Sequence, residues 1–160
     1  MRARYILLAL LLTGLLAACS SESSKTQTLG SLTYHSHGTK SVKGKNEFDL
    51  EADSFYFEPT FLRGDPGQKI TLDVENDSSK DTHNITVPGQ NVDMNIGPKQ
   101  KVDVQVTVPQ SGAVLFYCKF HTGQGMNGQL LAGDAQPQPL SSGPAPTSTP
   151  TTTGSDYPRY

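Results

Sequence analysis

Between residues 44 and 132 short runs of alternating apolar and polar positions recur between turn signals, and this period of two is the dominant pattern of the chain. Phe48, Leu50 and Ala52 alternate with acidic residues, and Ile70, Leu72 and Val74 do so just after the Asp65-Pro66-Gly67 turn. Side chains of an extended chain point alternately to opposite faces, so each run predicts a strand with one face buried. A polar turn from Asn76 to Lys80 separates the second run from His83-Asn84-Ile85-Thr86-Val87. Val102, Val104, Val106 and Val108 give the clearest strand. Val114-Leu115-Phe116-Tyr117 gives another after the Ser111-Gly112 turn, and a last short one follows Gly128 through Gln129 to Leu131. No stretch of ten residues holds a helical period. About seven short strands with Gly- and Pro-marked turns predict an all-β fold, an antiparallel sandwich or barrel.

The flanks differ in composition. Met1 to Ser20 opens with Arg2 and Arg4 and continues in an apolar run from Tyr5 to Leu16, short for a membrane span of about 20 residues. It ends in Leu16-Ala17-Ala18-Cys19, before the polar Ser20, Ser21 and Glu22. This segment resembles a bacterial lipoprotein signal. The resemblance implies cleavage after Ala18, a lipid on Cys19, and an extracytoplasmic protein anchored to a cell membrane, whether inner or outer. Residues 1–18 then form the signal peptide, and residues 19–43, rich in Ser, Thr and Gly, read as a flexible tether. Residues 44–132 form the folded domain. Residues 133–160, dominated by Pro, Ser, Thr and Gly, read as a low-complexity tail that buries too little surface to offset its ordering entropy.

The chain of 160 residues has room for one domain, and 15 Gly and 11 Pro with no Trp fit short strands and many turns. Loss of Arg2 and Arg4 with the signal takes the formal charge from -2 to -4. The folded segment alone carries twelve acidic against seven basic residues, and no nucleic-acid partner is expected. With Cys19 assigned to lipid, Cys118 has no thiol to pair with, and no internal disulfide is expected. A lone thiol outside the cytoplasm is open to oxidation, and metal ligation would protect it.

The chemistry is concentrated after the Val114 to Tyr117 strand, in Cys118-Lys119-Phe120-His121-Thr122-Gly123-Gln124-Gly125-Met126. A thiol, an imidazole and a thioether share one glycine-containing loop, and a second imidazole, His83, opens another predicted strand. The set His83, Cys118, His121 and Met126 suits one copper ion cycling between Cu(I) and Cu(II), since thiolate and thioether favour the reduced ion and imidazoles accept both. Zinc would bind as well, but would leave the thioether without a purpose. His35 and His37 read as tether residues, with an auxiliary copper-loading pair as the alternative. Met94 reads as a turn or packing residue, and Phe116 and Tyr117 as core and packing beside the thiol.

The run Gly112-Ala113-Val114-Leu115-Phe116-Tyr117-Cys118, followed by His121, Gly125-Met126 and Gly128, and matched upstream by His83-Asn84, resembles the plastocyanin branch of the cupredoxins, the blue copper proteins. The resemblance implies a Greek-key β-sandwich of about seven to eight strands over roughly Phe48 to Leu131. It also implies a trigonal copper site of His83, Cys118 and His121 with Met126 at longer range. Asn84 would tie the two ligand loops together by hydrogen bonding near the thiolate. Lys119 and Phe120 stand where plant and cyanobacterial plastocyanins have a proline before the histidine, so the resemblance implies the metal site but does not extend to the plastocyanin partner set.

With four protein ligands there is no open position for substrate, and no paired carboxylates or activated nucleophile are in view, so no enzyme and no organic substrate are expected. The leading expectation is one-electron transfer by a membrane-tethered carrier whose partner is a redox protein or membrane oxidoreductase. The alternative is extracytoplasmic copper binding, storage or delivery.

Overall fold

The computed structural model describes residues 24–140, which form an all-β sandwich of twelve strands and one 3₁₀ turn, Thr122–Gln124. One sheet has four strands in the order β10 (Lys101–Thr107), β7 (Lys69–Asn76), β4 (Glu47–Asp53) and β5 (Tyr56–Glu58). The other has six, in the order β3 (Thr39–Ser41), β6 (Phe61–Gly64), β12 (Asn127–Ala132), β11 (Ala113–Tyr117), β8 (His83–Val87) and β9 (Val92–Ile96). A separate hairpin joins β1 (Lys25–Leu29) to β2 (Leu32–Ser36).

The alternation seen in the sequence is realised in β4, β7 and β10. Leu50, Ala52, Ile70, Leu72, Val74, Val104 and Val106 point inward, while Asp49, Glu51, Asp73 and Glu75 line the outer face. With Phe57 of β5 they meet Leu62, Ile85, Val87, Ile96, Phe116, Met126 and Leu130 across the sandwich in one buried cluster. Burial on this scale, at about 25 cal/mol per Å² of apolar surface, is the main force holding the two sheets together. The pairing is mixed rather than wholly antiparallel. β4 runs parallel to β7, and β6 runs parallel to both β12 and β3. Parallel neighbours need crossover connections, and here the chain supplies them by passing between the two sheets.

The six-stranded sheet is buried on its second face too, which explains the unbroken apolar run of β11. Phe116 points into the sandwich; Ala113, Leu115 and Tyr117 point the other way, with Phe61 and Leu131, against Leu29, Leu32 and Tyr34 of the hairpin and Leu140 beyond β12. The expected flexible tether over residues 19–43 is therefore corrected for residues 25–41, which form β1, β2 and β3. The stretch carries only scattered apolar residues, but Leu32, Tyr34 and Val42 are buried against the domain. The tail boundary shifts for the same reason. Arg63 Nη1 donates to the carbonyls of Gly133 and Ala135 at 3.1 and 2.7 Å, and Gln129 exchanges hydrogen bonds with the Gln138 backbone at 2.6 and 2.9 Å. Residues 133–140 thus belong to the folded unit. The remainder of the tail, the signal segment and Cys19 lie outside the described residues.

Two polar side chains of β12 are fully buried, and each is paired. Asn127 Nδ2 donates to the Thr33 and Thr122 carbonyls at 2.7 and 3.0 Å, and Gln129 Nε2 donates to the Tyr34 hydroxyl at 2.8 Å. These bonds satisfy groups that would otherwise lose hydration without compensation, and they fix the hairpin to the sheet. Tyr34→Ala removes both the packing and the Gln129 partner, and should lower unfolding stability by about 3–5 kcal/mol in a denaturant titration. A change of only a few tenths of a kcal/mol, as in a loosely attached hairpin, would contradict this account.

Candidate metal centre

Two of the four expected ligands sit at strand ends and two on the loop that joins β11 to β12. His83 opens β8, and Cys118 follows β11 directly. The loop is held by its own backbone: Cys118 N–H donates to the Met126 carbonyl at 3.0 Å, His121 N–H to the Cys118 carbonyl at 3.1 Å, and Met126 N–H to the His121 carbonyl at 3.2 Å. Gly125 takes φ 96°, a conformation that L side chains rarely adopt, at the end of the 3₁₀ turn. A Cβ there would also lie 3.0 Å from the His35 ring.

This framework brings three donor atoms to one place. His83 Nδ1 and His121 Nδ1 are 3.2 Å apart, and Cys118 Sγ is 3.5 Å from His121 Nδ1. One donor atom from each residue lies within 4.8 Å of the others, a group able to hold a metal ion. His83 and Cys118 are buried; His121 is half-buried. Met126, fully buried, packs in the same core cluster as Cys118 and lies opposite it across the loop.

The electrostatics prepare the donors for a cation. Burial holds the His83 pKa below the ordinary imidazole value, the His121 ring adds to the effect, and Asp81 and Asp53 oppose it. Burial lowers the His121 pKa as well, against Asp81. Both rings are then neutral near pH 7, with lone pairs available. Burial pushes the Cys118 thiol up, while the backbone N–H groups of Phe120, Asn84 and His121 and the charge of Lys119 favour the thiolate. Amides aimed at a buried sulfur suit a thiolate whose charge a bound cation balances, so the donor set fits a thiolate-binding metal. His83 Nε2 is buried with no protein partner, so packing rather than an outer hydrogen bond orients that ring.

Asn84 bridges β8 to the ligand loop. Its Oδ1 accepts from Lys119 N–H at 3.4 Å and from the Thr86 hydroxyl at 2.7 Å, while Nδ2 donates to Asp93 Oδ1 at 2.8 Å and to the Met94 carbonyl at 3.1 Å. Asp93 also takes a 2.7 Å ion pair from Lys119 Nζ. The sequence reading missed Asp93, and it missed Phe55, whose ring lies 4.6 Å from that of His121 at 56°. Phe55 has φ 68° in the β4–β5 turn, a conformation costing about 1–3 kcal/mol for a non-glycine residue. Nothing in sequence spacing signals such a position. Met94, read as a turn or packing residue, is instead exposed on β9, and Phe120 beside His121 is 48% exposed.

A sequence profile of the cupredoxin-like domain matches residues 7–132, and the chain belongs to that family. No curated protein matches it in sequence. Among solved structures it is similar to dithionite-reduced auracyanin of Roseiflexus castenholzii, at 17% identity and TM-score 0.48, over 56% of this chain and 98% of that one. Auracyanin A of Chloroflexus aurantiacus, a blue copper protein, is 18% identical with TM-score 0.46, over 60% and 100% of the two chains. The metal-binding domain of the Cu(I)-exporting P-type ATPase of Streptococcus pneumoniae is 14% identical with TM-score 0.49, over 59% and 97%.

The lowered histidine values set a pH dependence for the metal-free protein. With folded-state pKa values below the unfolded value of about 6.5, the unfolded chain binds more protons in the interval between them. Stability is then full above about pH 6.5 and falls as the pH drops through that interval. Urea unfolding of metal-free protein across this range should show the loss, and a His83→Gln, His121→Gln double variant should show a smaller one. An equal slope in both would contradict the assignment.

Proposed function

We propose that the protein is a one-electron carrier in which His83, Cys118, His121 and Met126 hold a single copper ion. The observation that carries this reading is the convergence of His83 Nδ1, His121 Nδ1 and Cys118 Sγ on one point, 3.2 and 3.5 Å apart, inside a closed hydrogen-bonded loop. Two neutral imidazoles and a thiolate, with the Met126 thioether as the proposed fourth donor, form the donor set of a mononuclear copper site, and the thioether argues against zinc. Membership of the cupredoxin-like family supports the same choice. When bound, copper supplies one-electron exchange between Cu(I) and Cu(II).

The residues of this chain do the rest. The three loop hydrogen bonds limit donor movement between oxidation states, and burial of His83, Cys118 and Met126 keeps water from the donors. The half-buried His121 ring, flanked by Phe55 and the exposed Phe120, supplies the edge nearest a partner. That partner is proposed to be a redox protein or membrane oxidoreductase. Lipid on Cys19, following the Leu16-Ala17-Ala18 run, would hold the carrier at an extracytoplasmic membrane surface.

Protein loaded with one equivalent of Cu(II) should absorb strongly in the visible, and Cys118→Ser should abolish the band. Met126→Gln should retain copper and lower the reduction potential, because an amide oxygen favours Cu(II) more than a thioether does. Stopped-flow reduction and reoxidation should cycle rapidly with the metal retained. Slow cycling with ready loss of Cu(I) to a moderate-affinity chelator would overturn the carrier reading in favour of copper storage or delivery.

A further inference from the structure

The second histidine pair of the chain lies on the segment first read as a tether. His35 is near the end of β2 and His37 just beyond it, and their spacing of two places both rings on one side of an extended chain. Both line a cavity of about 300 Å³ together with Ser24, Lys25, Ser54 and Tyr56. The segment is held firmly. His35 N–H donates to the Gly125 carbonyl at 3.1 Å, the Thr60 hydroxyl donates to the His35 carbonyl at 3.0 Å, and His37 N–H donates to Thr60 Oγ1 at 2.7 Å.

The His37 ring is oriented in the manner of a metal ligand. Its Nδ1 lies 3.1 Å from Glu58 Oε2, which takes up that side of the ring and leaves Nε2 as the atom to meet a metal ion. A carboxylate behind a histidine fixes its tautomer and raises its basicity as a ligand. Tyr56 stacks on the same ring, with centroids 3.7 Å apart and planes at 12°, which restricts its rotation further. The His35 ring lies against Gly125, where a Cβ would come within 3.0 Å of it. Burial first, and then the carboxylates of Glu51, Asp53, Glu58 and Asp77, push the pKa of Tyr56 at this cavity up to about 12. Lys25 at the rim is the one cation lining the cavity among the described residues.

We propose that His35 and His37 hold a second metal ion, Cu(II), in this cavity, with Glu58 positioning His37 and solvent completing the coordination. Imidazole is a ligand of borderline softness, and among divalent first-row ions such a pair favours copper most strongly. The site shares no ligand with the Cys118 centre and stands whether or not that centre takes copper. A single backbone bond, His35 N–H to the Gly125 carbonyl, joins its strand to the Cys118–Met126 loop.

The test is equilibrium dialysis of the tag-free full chain against Cu(II), with electron paramagnetic resonance of the loaded protein. Wild type should bind one equivalent more than His37→Gln. That extra copper should give an ordinary tetragonal, nitrogen-coordinated signal distinct from the thiolate-bound one. Glu58→Gln should weaken the extra equivalent by about 10- to 100-fold. If the Cys118 centre binds no copper, wild type should bind one equivalent and His37→Gln none, so failure of that centre is seen separately. Equal stoichiometry and affinity in wild type and His37→Gln would overturn the proposal. Should His37→Gln not fold, an unchanged affinity in Glu58→Gln, altered only at an exposed side chain, would overturn it equally.

Discussion

The hydrogen bond from Cys118 N–H to the Met126 carbonyl, 3.0 Å long, is the constraint on which the rest of the site depends. It closes the loop between β11 and β12, and with the two bonds centred on His121 it leaves the backbone little freedom between the thiol and the thioether. The loop can be that tight because β11 and β12 pair in register from Ala113 opposite Leu131 to Tyr117 opposite Asn127. Gly128 belongs to the same design. A Cβ there would meet the Phe116 ring at 2.3 Å and the Thr60 carbonyl at 2.6 Å, so only glycine lets β12 lie so close to the aromatic core.

Rigidity at the site is drawn from burial on both faces of the six-stranded sheet. One face packs on the four-stranded sheet through Phe116, Leu130 and Ile85; the other is covered by Leu32, Tyr34 and Leu140. A strand packed on both sides cannot slip by one residue without exchanging two buried faces, so its register, and with it the place of Cys118, is strongly specified. His83 reaches the same point from β8, which pairs with β11 where Tyr117 meets Thr86. Asn84 then links β8 to the loop by accepting from Lys119 N–H. The donor geometry is in this sense a property of the whole sheet rather than of the loop alone.

Legibility in the sequence followed the physics of each element. β4, β7 and β10 were readable because one face is apolar and the other polar or charged, which leaves an alternating pattern. The grouping of His83, Cys118 and His121 was readable from residue types and spacing. β9 was not, since only its ends, Val92 and Ile96, are buried and the three residues between are exposed. The β1–β2 hairpin was hidden because its buried residues are scattered among Ser, Thr, Gly and Lys, and because Asn127 and Gln129 look like surface residues until their partners Thr33 and Tyr34 are placed beside them. The pairing of His37 with Glu58 depends on that hairpin and could not be seen without it. Phe55 gave no signal because its left-handed backbone belongs to the two-residue hairpin turn between β4 and β5, a position that Asn or Gly usually marks.

The central claim is that one thiolate and two imidazoles meet on a single ion. Copper-edge X-ray absorption of the full chain loaded with less than one equivalent measures this directly, because the nearest scatterers are counted by element. The account predicts one short sulfur contact and two imidazole nitrogens, with the sulfur lost in Cys118→Ser. A shell of nitrogen and oxygen alone in the wild type would contradict it.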